Sequence, residues 1–169
     1  MLDINIEKIK ALPKPYILKL IAQAKAYLKQ NKVVQKMFKD YNVDISYLDY
    51  IPIGFKDLDV SAQTVRGCIY LNYKLLQTGD FKQALSYMVH EIEHVLDQIT
   101  GTKPTQNTDK MNSEDYITSP EELNAFNIQI EFMEDEFGKN EADKYVNHLL
   151  DYHDIKGKKR KEVKKKLTE

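Results

Sequence analysis

Residues 88–98 read Met-Val-His-Glu-Ile-Glu-His-Val-Leu-Asp-Gln, and two of the chain's four histidines, His90 and His94, lie four apart within them. On a helix, residues i and i+4 are neighbours, so both imidazoles can reach one ion. Glu91 follows the first histidine directly. There it can take a proton from a water that the ion activates, which is the chemistry of metal-assisted hydrolysis. The competing reading is a solvated helix face that carries two histidines by coincidence. Glu93 has no part in either reading and is expected to tolerate replacement by glutamine.

The chemistry requires a helix, and the pattern supplies one. Over Phe81 to Ile99, the residues Leu85, Met88, Val89, Ile92, Leu96 and Ile99 fall on one stripe, the spacing of a face packed on a core. His90 and His94 fall almost opposite, with Tyr87 and Asp97 on their side and Glu91 and Glu93 at the borders. That opposite face is therefore either bare to solvent or a site. Gly79-Asp80 and Thr100-Gly101 mark the ends of this helix.

The other elements follow from the same periodicities. A break at Ala11 to Pro15 precedes a helical pattern from about Tyr16 to Asp40, carried by Ile17, Leu20, Ile21, Ala24, Tyr27 and Leu28. YIPIGF, DVSAQTV and GCIYLN are short β-branched and aromatic runs parted by turn residues, which predicts two to four strands, the last over Cys68 to Asn72. Residues 101–118 are polar and turn-rich and read as a loop. A further helix starts at the N-cap Ser119, with Pro120 in its first turn and Glu122 in the capping-box position, and ends at Gly138. A shorter one spans Glu141 to Tyr152. The fold class expected is α+β, a small mixed or antiparallel sheet packed on the histidine helix with further helices. The domain expected is 1–155, followed by a basic C-terminal tail, 156–169.

A catalytic zinc usually takes three protein ligands and keeps one position open. The extended motif that continues to a glycine and a third histidine is absent, since Asp97 and Thr100 occupy those positions. The third ligand must come from elsewhere. SPEELNAF, residues 119–126, offers Glu121 and Glu122; His148 and His153 are the remaining histidines. Glu122 also has a plain role as the capping-box acid, and Glu121 as a first-turn acid favoured by the helix dipole.

The order of a strand, GCIYLN, then HEIEH, then Glu122-Leu-Asn-Ala125 on a following helix resembles the gluzincin type of metallopeptidase. Those proteins have a zincin fold and a thermolysin-like ligand set of two histidines and one glutamate. Small bacterial and phage-encoded members, including the ImmA/IrrE type, are similar in scale and order. The resemblance covers roughly residues 66–130. It implies a zinc-dependent peptidase with His90, His94 and Glu122 as ligands and Glu91 as general base. It also implies that the strand Cys68 to Asn72 borders the cleft and receives substrate as an added strand. The fuller Ala-Asn-x-Phe-Ala continuation of the ImmA/IrrE type is not present, so neither that subfamily nor its repressor substrates is implied.

Asp97, one turn after His94, could accept from that imidazole or simply be solvated. Tyr116, just before the proposed ligand helix, could donate to the oxyanion that forms on an attacked carbonyl, although one of eleven tyrosines is more often an ordinary loop residue. Cys68 reads as a small buried residue rather than a ligand, and a single cysteine fits a reducing, cytoplasmic setting. Charged residues make up 30% and balance to −1, which argues against bulk binding to nucleic acid or membrane. No stretch is apolar for long enough to span a bilayer, and MLDINIEKIK lacks a signal-peptide core. The tail holds eight basic residues and one acid between Lys156 and Lys166. It could contact nucleic acid or an acidic partner, but a solvated terminal helix is the favoured reading. The partner expected is therefore a peptide or protein substrate, cleaved with Zn2+. The alternatives are a zincin-fold binding protein with little turnover, acting through partner or nucleic-acid contacts, and an accidental motif on a DNA-associated helical protein.

Overall fold

The computed structural model describes residue 10 and residues 13–76, 81–101 and 112–169. Most of the expected N-terminal segment, the first two residues of the break at Ala11 to Pro15, the Gly79-Asp80 helix start and most of the 101–118 loop lie outside the described residues. The protein is α+β, mostly helical with one small mixed sheet. It divides into two compact units, Met1–Thr100 and Gly101–Glu169.

Among the described residues the first unit holds α1 (Lys14–Gln30) and α2 (Lys32–Asp40). The single helix expected up to Asp40 is two helices, because Asn31 breaks it. Its backbone is extended, and its Oδ1 accepts from the N–H groups of Val33 and Val34 at 2.8 and 3.1 Å. An asparagine cap of this kind contributes about 1 kcal/mol and favours starting a new helix over continuing the old one. Ile21, Ala24 and Leu28 of α1 are buried, whereas Tyr27 is half exposed.

A 3-10 helix (Ile45–Tyr50), capped by Asp44, leads into β1 (Ile53–Lys56), β2 (Ala62–Val65) and β3 (Cys68–Asn72). The sheet order is β1-β3-β2, with β1 parallel and β2 antiparallel to β3. Arg66 and Gly67 both have positive φ, 50° and 75°, which is the left-handed geometry of a two-residue hairpin turn joining β2 to β3. Ile69 and Leu71 are fully buried on the core side of β3. Asn72 secures the β1–β2 connection by donating to the carbonyls of Leu58 and Val60 at 2.6 and 3.0 Å. A second 3-10 helix, Tyr73–Leu76, follows β3.

Helix α3 (Phe81–Thr100) packs on β2 and β3. The expected stripe is buried through Leu96, but Ile99 is 44% exposed, because the helix leaves the core in its last turn. The opposite face is not solvated either. His90, Glu91, Glu93 and Asp97 are all buried, and Tyr87 and His94 are half-buried.

The second unit holds the short helix α4 (Ser113–Ile117), α5 (Pro120–Phe137), α6 (Lys139–Tyr152) and α7 (Gly157–Thr168). Part of the expected loop is thus helical, started by Asn112, whose side chain accepts from the Asp115 N–H at 2.9 Å. Gly138, at φ 86°, ends α5. The basic tail is helix α7, which buries Val163 and Leu167 against α5 and α6. It is not a frayed terminus. Its cations meet acids of the same unit: Lys159 with Glu114 at 2.5 Å, Arg160 with Asp151 at 2.5 Å and Lys164 with Asp143 at 3.6 Å. Among the described residues no helix is long and apolar enough to cross a membrane.

Candidate metal centre

Helix α3 brings His90 and His94 together. Their Nε2 atoms lie 3.2 Å apart, with the rings edge to face at 77°. Two imidazole nitrogens on one tetrahedral zinc, each about 2.0–2.1 Å from it, stand about 3.3 Å apart. The pair therefore has the separation that a shared ion requires. His90 is buried, and the His94 side chain is 17% exposed.

Glu91 is held to the sheet. The hydroxyl of Thr64 on β2 donates to Glu91 Oε2 at 2.7 Å and also lies 3.2 Å from the Glu91 carbonyl. A buried carboxylate with one fixed donor keeps a defined orientation, which a general base needs. Nothing in the sequence flags Thr64 for this role. Its contact is read only from the position of an edge strand against a helix.

Glu93, expected to tolerate replacement, sits in a buried and bonded position. It is fully buried, and Tyr41 bridges from Glu93 Oε1 at 2.5 Å to Asp97 Oδ1 at 2.6 Å. Burial first, and then hydrogen bonding to Asp97 and Glu93, push the Tyr41 phenol well above its ordinary value. Glu93 Oε2 also lies 3.7 Å from His94 Nδ1. Glu93 thus lies beside that imidazole through one oxygen and meets the phenol through the other, while Asp97 meets the phenol.

The raised phenol carries a pH prediction. The folded state keeps the Tyr41 proton where the unfolded chain, with an ordinary tyrosine, gives it up. The contribution is fully present below about pH 10, the unfolded value, and is lost as pH rises above it. Denaturant titrations from pH 8 to 11 should show a steeper alkaline loss of stability in the wild type than in Tyr41→Phe. Equal slopes would contradict the buried, bonded phenol.

The expected docking strand needs correction. β3 is the central strand and is paired on both sides, so no peptide can add along Cys68 to Asn72. The edges are β1 and β2, and β2 is the one tied to Glu91 through Thr64. Cys68 is half-buried, at the hairpin end of β3 opposite Val65.

In the second unit, Ser119 caps α5, its hydroxyl accepting from the Glu122 N–H at 3.4 Å. The reciprocal arm of a capping box would run from the Glu122 carboxylate to the Ser119 N–H. That N–H instead donates to the Tyr116 carbonyl at 3.2 Å. The carboxylate's capping role is thus already filled by main chain. Glu122 is buried and Glu121 only half-buried. Tyr116 stacks on His153, with ring centroids 5.9 Å apart. Burial pushes the His153 imidazole below its ordinary value, and the negative charge of Glu122 opposes that. His148 is exposed on α6.

Comparison with protein-family models, curated proteins and solved structures finds no match to this chain. The functional reading therefore rests on the chemistry of the site.

Proposed function

We propose that the protein is a zinc-dependent peptidase of zincin type. His90, His94 and Glu122 would hold the zinc, with Glu91 as general base. His90 and His94 on α3 and Glu122 on α5 are a histidine and glutamate set of the kind that could hold a metal ion. The observation that carries the reading is the pair of imidazoles, His90 buried and His94 half-buried, Nε2 to Nε2 at 3.2 Å, with a carboxylate next to His90 in sequence that Thr64 holds in place. Two neutral imidazoles and one carboxylate suit zinc, and leave room for a fourth position.

When bound, zinc supplies Lewis acidity to a water and to the carbonyl of the bond to be cut. The chain's own residues do the rest. Glu91 accepts a proton as the water oxygen bonds to the carbonyl carbon. It then delivers that proton to the amide nitrogen as the C–N bond breaks, so each cut adds one water. Tyr116 is the proposed donor to the carbonyl oxygen as it gains charge. An extended peptide would lie along β2, the edge strand that carries Thr64, rather than along β3.

The test is incubation with a diverse mixture of unstructured peptides, read by mass spectrometry. The expected result is new termini, one water gained per cut, abolished by a chelator and restored by zinc. Persistent absence of cleavage by a zinc-loaded protein would favour the binding-protein reading.

A further inference from the structure

Tyr41 follows the last turn of α2, where Asn42 reverses the chain at φ 55°. This turn delivers the phenol to a helix 52 residues further along the sequence, within 2.5 Å of Glu93 Oε1 and 2.6 Å of Asp97 Oδ1. Two carboxylates one turn apart on a buried helix face are disfavoured unless donors meet them. Core packing needs only an aromatic ring here. The hydroxyl adds orientation, because its one proton is shared between two carboxylate oxygens, 2.5 and 2.6 Å away.

The Glu93 carboxylate has a second oxygen, and it lies 3.7 Å from His94 Nδ1. Resting on the zinc reading above, we infer that Tyr41 is a positioning residue for His94, acting through Glu93. The phenol fixes one carboxylate oxygen, which sets the plane of the group and keeps the other beside Nδ1. Negative charge at that place favours the tautomer with its proton on Nδ1. Nε2 then presents its lone pair, 3.2 Å from its counterpart on His90. A metal-bound imidazole works this way when its other nitrogen faces a carboxylate. Here the carboxylate comes from the neighbouring residue of the same helix, and its orientation is set from α2.

The experiment measures zinc affinity by chelator competition, and the visible absorption of the cobalt-substituted protein, in wild type, Tyr41→Phe, Glu93→Gln and the double variant. Each single change should weaken zinc about 10- to 100-fold and alter the cobalt spectrum, the range expected when the group orienting a ligand is lost. The double variant should bind no more weakly than the weaker single, because both changes break one connection. Wild-type affinity and spectrum in Tyr41→Phe, or losses that multiply in the double variant, would overturn the inference. If Tyr41→Phe loses helical circular dichroism, Glu93→Gln decides alone, since it keeps the phenol, and wild-type binding there overturns the proposal. A wild type that takes up neither metal overturns the zinc reading itself, and this inference with it.

Discussion

Glu91→Gln is expected to bind zinc as the wild type does and to cleave peptides about 10²- to 10⁴-fold more slowly, the usual contribution of a general base. Glutamine keeps the shape of the side chain, and its amide can still meet Thr64. What it cannot do is take the proton of the attacking water and return it to the leaving nitrogen. The comparison needs a cleavable peptide from the mixture described above, and zinc content measured on the same samples. Equal rates in the two proteins would show that Glu91 carries no proton, and would overturn its role as general base. Glu93→Gln is the informative companion. Sequence spacing alone makes Glu93 expendable, but its complete burial and its bond to Tyr41 predict a loss of metal affinity instead.

The second large effect concerns Glu122, the proposed third ligand. Glu122→Ala should lower zinc affinity by more than about 100-fold, beyond the loss seen when only a supporting group is removed. Glu121→Ala should leave it unchanged. Both acids occupy the first turn of α5, so each replacement should cost a similar small amount of stability, about 0.3–1 kcal/mol, through the helix dipole. That shared cost makes the pair a clean comparison, because stability moves in both and metal binding in one. Chelator competition against the two variants reads it directly. Loss of zinc in Glu121→Ala with retention in Glu122→Ala would move the ligand by one residue.

The parts of this protein that were legible in sequence are those set by local pattern. The α3 stripe through Leu96, the three short strands and the Ser119 start of α5 follow from periodicity and capping chemistry, which act over a few residues. Asn31 was legible in principle, since asparagine before a helical run is a cap. The apolar face also shifts in phase across it, from Ile21, Ala24 and Leu28 to Val33, Val34, Met37 and Phe38, which a single-helix reading passes over. What could not be read are relations across the fold. β3 became central because β1 pairs with it in parallel, a choice that no local residue announces. Tyr41 and Thr64 reach carboxylates 52 and 27 residues away. Ordinary residues in ordinary turns acquire such roles only when elements pack. The charge run of α7 is the terminal helix expected, with most of its lysines exposed; what local pattern did not show is that Val163 and Leu167 anchor it and that several of its cations pair with acids of their own unit.

The central claim is that His90 and His94 exist to hold a metal. Elemental analysis of the purified protein, after refolding with zinc and removal of excess, tests it most directly. One zinc per chain is expected in the wild type, and none in the His90→Ala/His94→Ala double variant. A folded wild-type protein that retains no zinc under these conditions would contradict the account.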